Sequence, residues 1–427
     1  MSTLKSYKLG ELYNVASGLS KARDEFGFGN PFVTFKDVFN NFFLPDKLTS
    51  LVNTNDKEVK SCSVKKGDIF LTRTSETFDE LGMSCVSLKD YERATFNGFT
   101  KRLRQKENSK VEIDPVFIGY YFRSTAIRNQ ISMFASMTTR ASLNSQAINS
   151  IEISIPEIEI QNRIGVILKG FDDKIELNRQ MNHTLEQMAQ ALFKKYFVDF
   201  DFPDENGAHY FSAGGDMIDH AIGLIPKVCV VKSVYDLAEF INGAAYKNMY
   251  FSTAKDALPV VKIVELKNGI TSSTKFTNTN LGEKYRIENG DILFSWSGSP
   301  DTSIDTFLWV NGSAWLNQHI FKIKTESVEK RAYMYCLLKY LNPSFIEIAR
   351  NKQTTGLGHV TIADLKNQLI AFPPDLALSS FSSLVTPILC SIQNNLEQIN
   401  NLSLIRDTLL PKLMSGEISV EQEAATI

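Results

Sequence analysis

The chain has 427 residues, 43% of them apolar and 22% charged, with a formal net charge of −2. At roughly 100–200 residues per domain this is two or three ordinary globular domains; disordered, collagen-like and disulfide-scaffold classes are excluded, and a uniformly basic nucleic-acid coat protein is disfavoured, though a local basic surface is not. No apolar run reaches the roughly 18–20 residues of a membrane span, the start MSTLKSYKLGEL lacks the apolar segment of a signal peptide, and the five cysteines (Cys62, Cys85, Cys229, Cys336, Cys390) are scattered, so a cytoplasmic, reducing setting is expected.

In chain order, the first half is written again in the second. LGELYNVASG at 9–18 aligns with VYDLAEFING at 234–243, and PFVTFKDV at 31–38 with PVVKIVEL at 259–266. KKGDIFLTR at 65–73 aligns with ENGDILFSW at 288–296. In each, a glycine turn launches a short apolar run, Asp68-Ile69-Phe70-Leu71 and Asp291-Ile292-Leu293-Phe294, which reads as a strand. Short helices fit Pro115–Ala126 and Lys330–Leu341. TTRASLNSQAINSIEISIP at 138–156 resembles TTGLGHVTIADLKNQLIAFP at 354–373. DDKIELNRQMNHTLEQMAQALFKKYF at 172–197 lines up, at an offset of 217, with LCSIQNNLEQINNLSLIRDTLLPKLM at 389–414. Five blocks in one order point to duplication, against the alternative of chance recurrence of common patterns. Phe202–Gly223, with its Pro, Gly and Asp-Glu-Asn, reads as an interdomain linker, and the acidic tail from Glu417 as frayed.

The two helical blocks share a heptad register. Positions 164, 171, 178, 185 and 192 are Ile, Phe, Asn, Leu and Leu, with Ile167, Lys174, Met181, Met188 and Lys195 three residues on. The second copy gives Phe381, Ile388, Asn395, Leu402 and Leu409, then Leu384, Ser391, Gln398, Ile405 and Lys412. Such seams pack helix on helix, and the duplicated Asn178 and Asn395 are expected to fix register; the alternative is two amphipathic helices with solvated asparagines. If a two-fold relates the copies, the helices run antiparallel with the globules at opposite ends. Gly170 and Pro387 coincide at the offset, so a bend or break is expected there. From Gln161 to Phe197 a helix runs about 55 Å at about 1.5 Å per residue, long enough to act as a spacer.

No catalytic constellation stands out. There is no GxxxxGK[ST] loop; Gly27-Phe-Gly29 and Gly356-Leu-Gly358 do not complete GxGxxG. The histidines show no HExxH or Cys/His ligand spacing. Asn342-Pro343-Ser344-Phe345 superficially resembles an amino-methyltransferase loop but lacks the second proline, and reads as a helix-ending turn.

Residues that suit DNA reading are present. RATFNGFTKRLRQKENSK at 93–110 carries a net charge of +5, with Arg93, Lys101, Arg102, Arg104, Lys106 and Lys110 against Glu107 and with Phe96 and Phe99 interleaved. It fits phosphate contacts, or else a solvated hairpin face. Thr138, Thr139, Arg140, Ser142, Asn144 and Gln146 offer hydroxyls, a guanidinium and amides, matched in the second half by Lys352, Gln353, Thr354, Thr355 and His359. The strand exits Thr72-Arg73-Thr74-Ser75 and Ser295-Trp296-Ser297 are duplicated, and Asn317-Gln318-His319 forms a third polar cluster. Arginine can bind guanine bidentately, and Asn or Gln adenine. Each taken singly is also an ordinary surface loop.

The central block KIELNRQMNHTLEQMAQALFKKYFVDFD and the closing block LIRDTLLPKLMSGEI resemble the two helical repeats of type I restriction–modification specificity subunits, and the GDI-type strand of each half is typical of them. The resemblance runs from Tyr7 to about Ile418. It implies an α/β (α+β) fold of two similar target recognition domains related by a pseudo-two-fold and separated by a pair of long antiparallel coiled-coil helices. The corresponding division is 1–156, 157–200, 201–376, 377–416 and 417–427. It implies a non-catalytic DNA-binding subunit for phage defence, each half reading one part of a bipartite double-stranded DNA target. The helices set the unread gap and dock two methyltransferase subunits. S-adenosylmethionine belongs to those partners, and ATP and magnesium to the motor and nuclease subunits that join the complex; no membrane is involved. Base-reading residues are not carried over, because the recognition domains vary most within the family. With Ser295-Trp296 against Thr72-Arg73, an asymmetric target is expected. The competing readings are a self-contained restriction enzyme, which needs a cofactor loop and carboxylate cluster that the sequence does not display, and a coiled-coil scaffold with no DNA role.

Overall fold

The computed structural model describes residues 4–75, 80–134, 136–137, 141–353 and 356–420. Packing divides the chain into two compact units, residues 1–173 with 402–427, and residues 174–401. The long helices Ile158–Phe197 and Asp375–Ser415 each lend one part to each unit rather than standing apart as the segments 157–200 and 377–416.

The first unit is built on an antiparallel sheet in which Tyr13–Ser17, Thr100–Gln105, Ile69–Thr72 and Ser84–Val86 lie side by side in that order. The apolar run Ile69-Phe70-Leu71 is fully buried, as an uninterrupted apolar strand must be. Asp68, just ahead of it, accepts the Lys65 backbone N–H at 2.7 Å and so closes the turn that starts the strand. A smaller sheet joins Leu51–Val52, Phe26–Val33 and Thr95–Phe96, the last pair being parallel. Helix Pro115–Tyr121 begins where Asp114 accepts the Phe117 N–H at 2.7 Å, with proline in the first turn, where its missing N–H costs nothing. Ile164 and Leu168 of the first long helix share this core with Leu410, Leu413 and Met414 of the second. The two helix segments run antiparallel: Arg163 donates to the Val420 carbonyl, while Asp172, nine residues on, takes Arg406 as ion-pair partner and accepts the Tyr120 hydroxyl.

The second unit repeats this plan. Glu239–Asn242, Ile320–Lys324, Ile292–Ser295 and Asp305–Leu308 form the antiparallel sheet in the matching order. Asp291 accepts the Glu288 N–H at 2.8 Å, as Asp68 does from Lys65. The parallel pair recurs as Leu258–Val261 beside Ala314–Leu316. The core is aromatic: Phe197 lies 4.9 Å from the rings of both Tyr333 and Phe381, edge to face. The repeated topology carries the duplication that the sequence alignment predicts.

Two local expectations are corrected and a third is extended. Neither Gly170 nor Pro387 interrupts its helix; the Pro387 carbonyl even accepts the Ser391 hydroxyl. The segment 202–223 is folded rather than a linker: Asp204 caps a turn through the Asn206 and Ala208 N–H groups, and Met217–His220 pairs with Gly223–Pro226. At Asn342-Pro343 the helix Val328–Tyr340 has just ended, capped by Leu341, as expected, but the same turn also opens the helix Asn342–Asn351, with proline again in the first turn.

The helix register also differs from the predicted one. The row 164, 171, 178, 185 and 192 does turn inward, but its companion stands four residues on, at Leu168, Ile175, Asn182, Ala189 and Tyr196, all buried. Ile167, Met181 and Met188 are exposed instead, as are Leu384 and Ile405 in the second helix. Together the two rows alternate by four and three residues, the spacing of a heptad seam, so the heptad holds and its second row lies at i+4 rather than at i+3. The helix Asp375–Ser415 contains an 18-residue stretch of mean hydropathy 1.4, apolar enough in composition to cross a membrane; it spends Leu378, Phe381, Val385, Leu389 and Ile392 in the second unit's core. Asn178 and Asn395 are buried but do not face each other: Asn178 donates to Gln398 at 3.2 Å, and Asn395 donates to Asn182 at 2.8 Å.

Candidate nucleic-acid interface

Each unit ends its central strand in the same backbone network. In the first, Arg73 N–H donates to the Phe99 carbonyl at 3.0 Å, and Leu143 N–H donates to the Arg73 carbonyl at 2.9 Å. In the second, Trp296 N–H donates to the His319 carbonyl at 3.4 Å, and Val360 N–H to the Trp296 carbonyl at 2.8 Å. The loop that supplies the acceptor is anchored alike: Asn97 N–H binds the Val33 carbonyl at 3.1 Å, and Asn317 N–H binds that of Val261 at 3.0 Å. A glycine leans on each asparagine. A Cβ on Gly18 or on Gly243 would lie 2.2 Å from the carbonyl oxygen of Asn97 or Asn317, so no other residue fits. These glycines end the blocks LGELYNVASG and VYDLAEFING, the signal through which sequence reasoning could have found them.

On this shared scaffold the displayed side chains differ. The first unit shows Phe99, 64% exposed, and an exposed Arg73 whose guanidinium has no partner among the described residues. Burial and then the Arg73 charge hold the Lys101 ammonium below its ordinary pKa; Lys101 donates to the Ser17 and Ser145 hydroxyls at 2.8 and 3.3 Å. Gln146 is exposed close by in sequence, and the Ser75 hydroxyl donates to Glu80 at 3.2 Å. The second unit shows Gln318 and His319, bonded to each other at 3.3 Å, with the Trp296 ring centroid 5.6 Å from that of His319. The Trp296 indole N–H donates to Asn242 at 3.0 Å. Ser297 and His359 are paired backbone partners on adjacent short strands, and Gln353 is exposed.

Several predicted readers have other work. Thr72 is fully buried and its hydroxyl accepts the Met83 N–H at 2.9 Å. Strand alternation turns Arg102 and Arg104 to the face opposite Lys101. There Arg102 donates to the Ser63 carbonyl at 2.7 Å, and Arg104 grips Asp68 bidentately at 2.7 and 2.6 Å. Arg93 pairs with Asp56, and Lys106 donates to the Gly10 carbonyl, so the +5 segment is not a phosphate-facing stripe. Asn144 spends its side-chain oxygen capping a helix, Asn317 is buried, and Lys352 is bound by Asp364 at 2.6 Å. Thr139, Arg140, Thr354 and Thr355 lie outside the described residues.

The profile of the family described as type I restriction modification DNA specificity domain matches residues 1–187 and 226–377. The chain is 29% identical to the type I restriction enzyme MjaIX specificity subunit of Methanocaldococcus jannaschii, over 97% of this chain and 92% of that protein. It is 24% identical to the HindI specificity subunit of Haemophilus influenzae, over 98% of this chain and 100% of that one. In fold it is similar to the crystal structure of a type I restriction–modification S subunit from M. genitalium, with a TM-score of 0.55, 14% identity and 96% of each chain covered. The chain belongs to the type I restriction–modification DNA specificity family.

Proposed function

We propose that the chain is the sequence-specificity subunit of a type I restriction–modification complex, and that each unit reads one part of a bipartite double-stranded DNA target. The observation that carries this is one backbone network built twice and dressed differently, with Arg73 and Phe99 in one copy and Trp296 and His319 in the other. A reader of two unlike half-sites needs a fixed frame and variable display, because base identity is read by side chains placed within hydrogen-bond reach of groove edges.

The exposed apolar positions of the long helices, Ile167, Met181 and Met188 with Leu384 and Ile405, suit docking of two methyltransferase subunits. Those partners supply S-adenosylmethionine and the adenine methylation; motor and nuclease subunits, with ATP and magnesium, complete the restriction enzyme in the cytoplasm. The long helices act as the spacer between half-sites. Inserting one heptad into both, near Asn178 and Asn395, widens the unread gap; an unchanged gap ends the spacer role.

The test is co-expression with the partner methyltransferase followed by genome-wide mapping of methyladenine. A two-part motif is expected, and exchange of residues 1–156 for those of another family member changes one half of it. Unchanged genomic methylation on co-expression overturns the proposal.

A further inference from the structure

The first unit carries exposed aromatic side chains beside its reading loop. Strand Phe26–Val33 pairs with Leu51–Val52 across a bulge in which Phe26 and Asn30 both face Val52, so residues 27–29 loop outward. Gly27 and Gly29 adopt φ of 96° and 94°, and a Cβ on Gly29 would lie 2.6 Å from the Val52 carbonyl oxygen, which confines that position to glycine. The apex of the loop is Phe28, 52% exposed. Phe26 is 42% exposed, and it and Phe99 line a cavity of about 540 Å³ together with Leu19, Phe32 and Phe35.

The scaffold does not require this exposure. In the second unit the turn Asn248–Tyr250 follows Gly243 as the turn Arg23–Glu25 follows Gly18, yet Tyr250 and Phe251 fold down onto Tyr246, Val260 and Trp315. Trp315, on which they pack, stands in the strand position that Thr95 holds in the first unit. Arg23 lies next to the aromatic group in sequence, and Arg73 is tied to Phe99 through the backbone. Among the described residues these two are the arginines whose guanidinium groups have no hydrogen-bond or ion-pair partner.

The geometry points to a wedge: Phe28 enters the duplex at or beside the first half-site and unstacks one base step, with Phe26 and Phe99 offering further aromatic surface, while Arg23 takes a flanking phosphate and Arg73 a base edge. This rests on the first unit being a DNA reader. Continuity with the loop that displays Arg73 and Phe99 makes duplex DNA the occupant. Phenylalanine inserted between base steps trades unstacking for aromatic–base contact and a bent duplex. A bulge closed by two positive-φ glycines sets the ring off the sheet, clear of the strand pairing.

The experiment uses the chain in complex with its methyltransferase and duplexes of the mapped motif carrying 2-aminopurine at each first-half position outside the methylated adenine. The wild-type complex is expected to raise fluorescence at one step. Phe28→Ala and Phe99→Ala return it to the free-duplex level and weaken binding at least about tenfold; Phe28→Trp restores both. The salt slope of binding stays unchanged in Phe28→Ala and falls by about one in Arg23→Ala. No fluorescence rise in the wild type, or an undiminished one in Phe28→Ala, overturns the wedge while sequence-specific methylation still stands. Loss of methyltransferase copurification in Phe28→Ala makes the surface a protein-docking face and also overturns it. Failure of the wild-type complex to methylate a two-part motif counts against the reading beneath it instead.

Discussion

Arg73 and Trp296 occupy one node of a duplicated hydrogen-bond network, each bound by its N–H to a displayed loop residue and by its carbonyl to the residue two before a short helix, Leu143 or Val360. The backbone at this node is fixed by the sheet, so substitution changes display without changing frame. Arg73→Ala is expected to cost about 1–3 kcal/mol of DNA affinity and to relax one position in one half of the motif. Trp296→Ala is expected to alter the other half alone. Methylation mapping of each variant checks this, and a change in both halves from Arg73→Ala contradicts the assignment.

Arg104 makes the opposite case. Its bidentate grip on Asp68, itself 1% exposed, holds the turn ahead of the central strand. Arg104→Ala strands a buried carboxylate and is expected to cost about 3 kcal/mol of stability. Urea unfolding should show a lower midpoint while the methylated motif stays the same. An altered motif with an unchanged midpoint would return Arg104 to the DNA-facing set.

The contrast between these two arginines shows where the sequence is legible. Duplication, the buried GDI strands and the helix pair could be read because they rest on local apolar pattern, and pattern survives at low identity. The basic segment at 93–110 misled because charge along the chain says nothing of which side of a strand each cation takes, nor that Ser63, Asp68, Asp56 and the Gly10 carbonyl lie waiting. The helix partner row was misplaced by one residue because a heptad fixes the first row but leaves both i+3 and i+4 open for the second, and Ile167, Met181 and Met188 give the i+3 row an apolar look. Gly18, Gly243 and the bulge at Gly27-Phe28-Gly29 act through long-range backbone approach, which no short window displays.

Lys352 is held by Asp364 within the second unit. Burial alone would raise the Asp364 pKa, but hydrogen bonds from Lys352 and Thr361 hold it below its ordinary value. A carboxylate depressed in the folded state lends stability that is complete above its unfolded pKa of about 3.9 and is lost as pH falls through the folded value. Lys352→Ala is therefore expected to lose about 1 kcal/mol at neutral pH, with the gap from wild type closing below about pH 4. Denaturation series stepped from pH 7 down through the acid range measure it; a gap that does not narrow below about pH 4 would assign the loss to packing.

The two register asparagines should respond to the same change in opposite directions. Asn178 is wholly buried, and its Oδ1 has no hydrogen-bond partner, so Asn178→Leu removes an unsatisfied polar atom and is expected to stabilise by about 1–2 kcal/mol. Asn395 donates to the Oδ1 of buried Asn182, whose own amide reaches the Ile392 carbonyl at 3.3 Å. Asn395→Leu leaves that acceptor buried and unpaired, and is expected to destabilise by about 1–3 kcal/mol. The sequence treats the two positions as equivalents; the structure makes one a weak point and the other half of a closed pair. Thermal unfolding of both variants separates the cases, and shifts of the same sign would show that the asparagines act through helix pairing in general rather than through these particular partners.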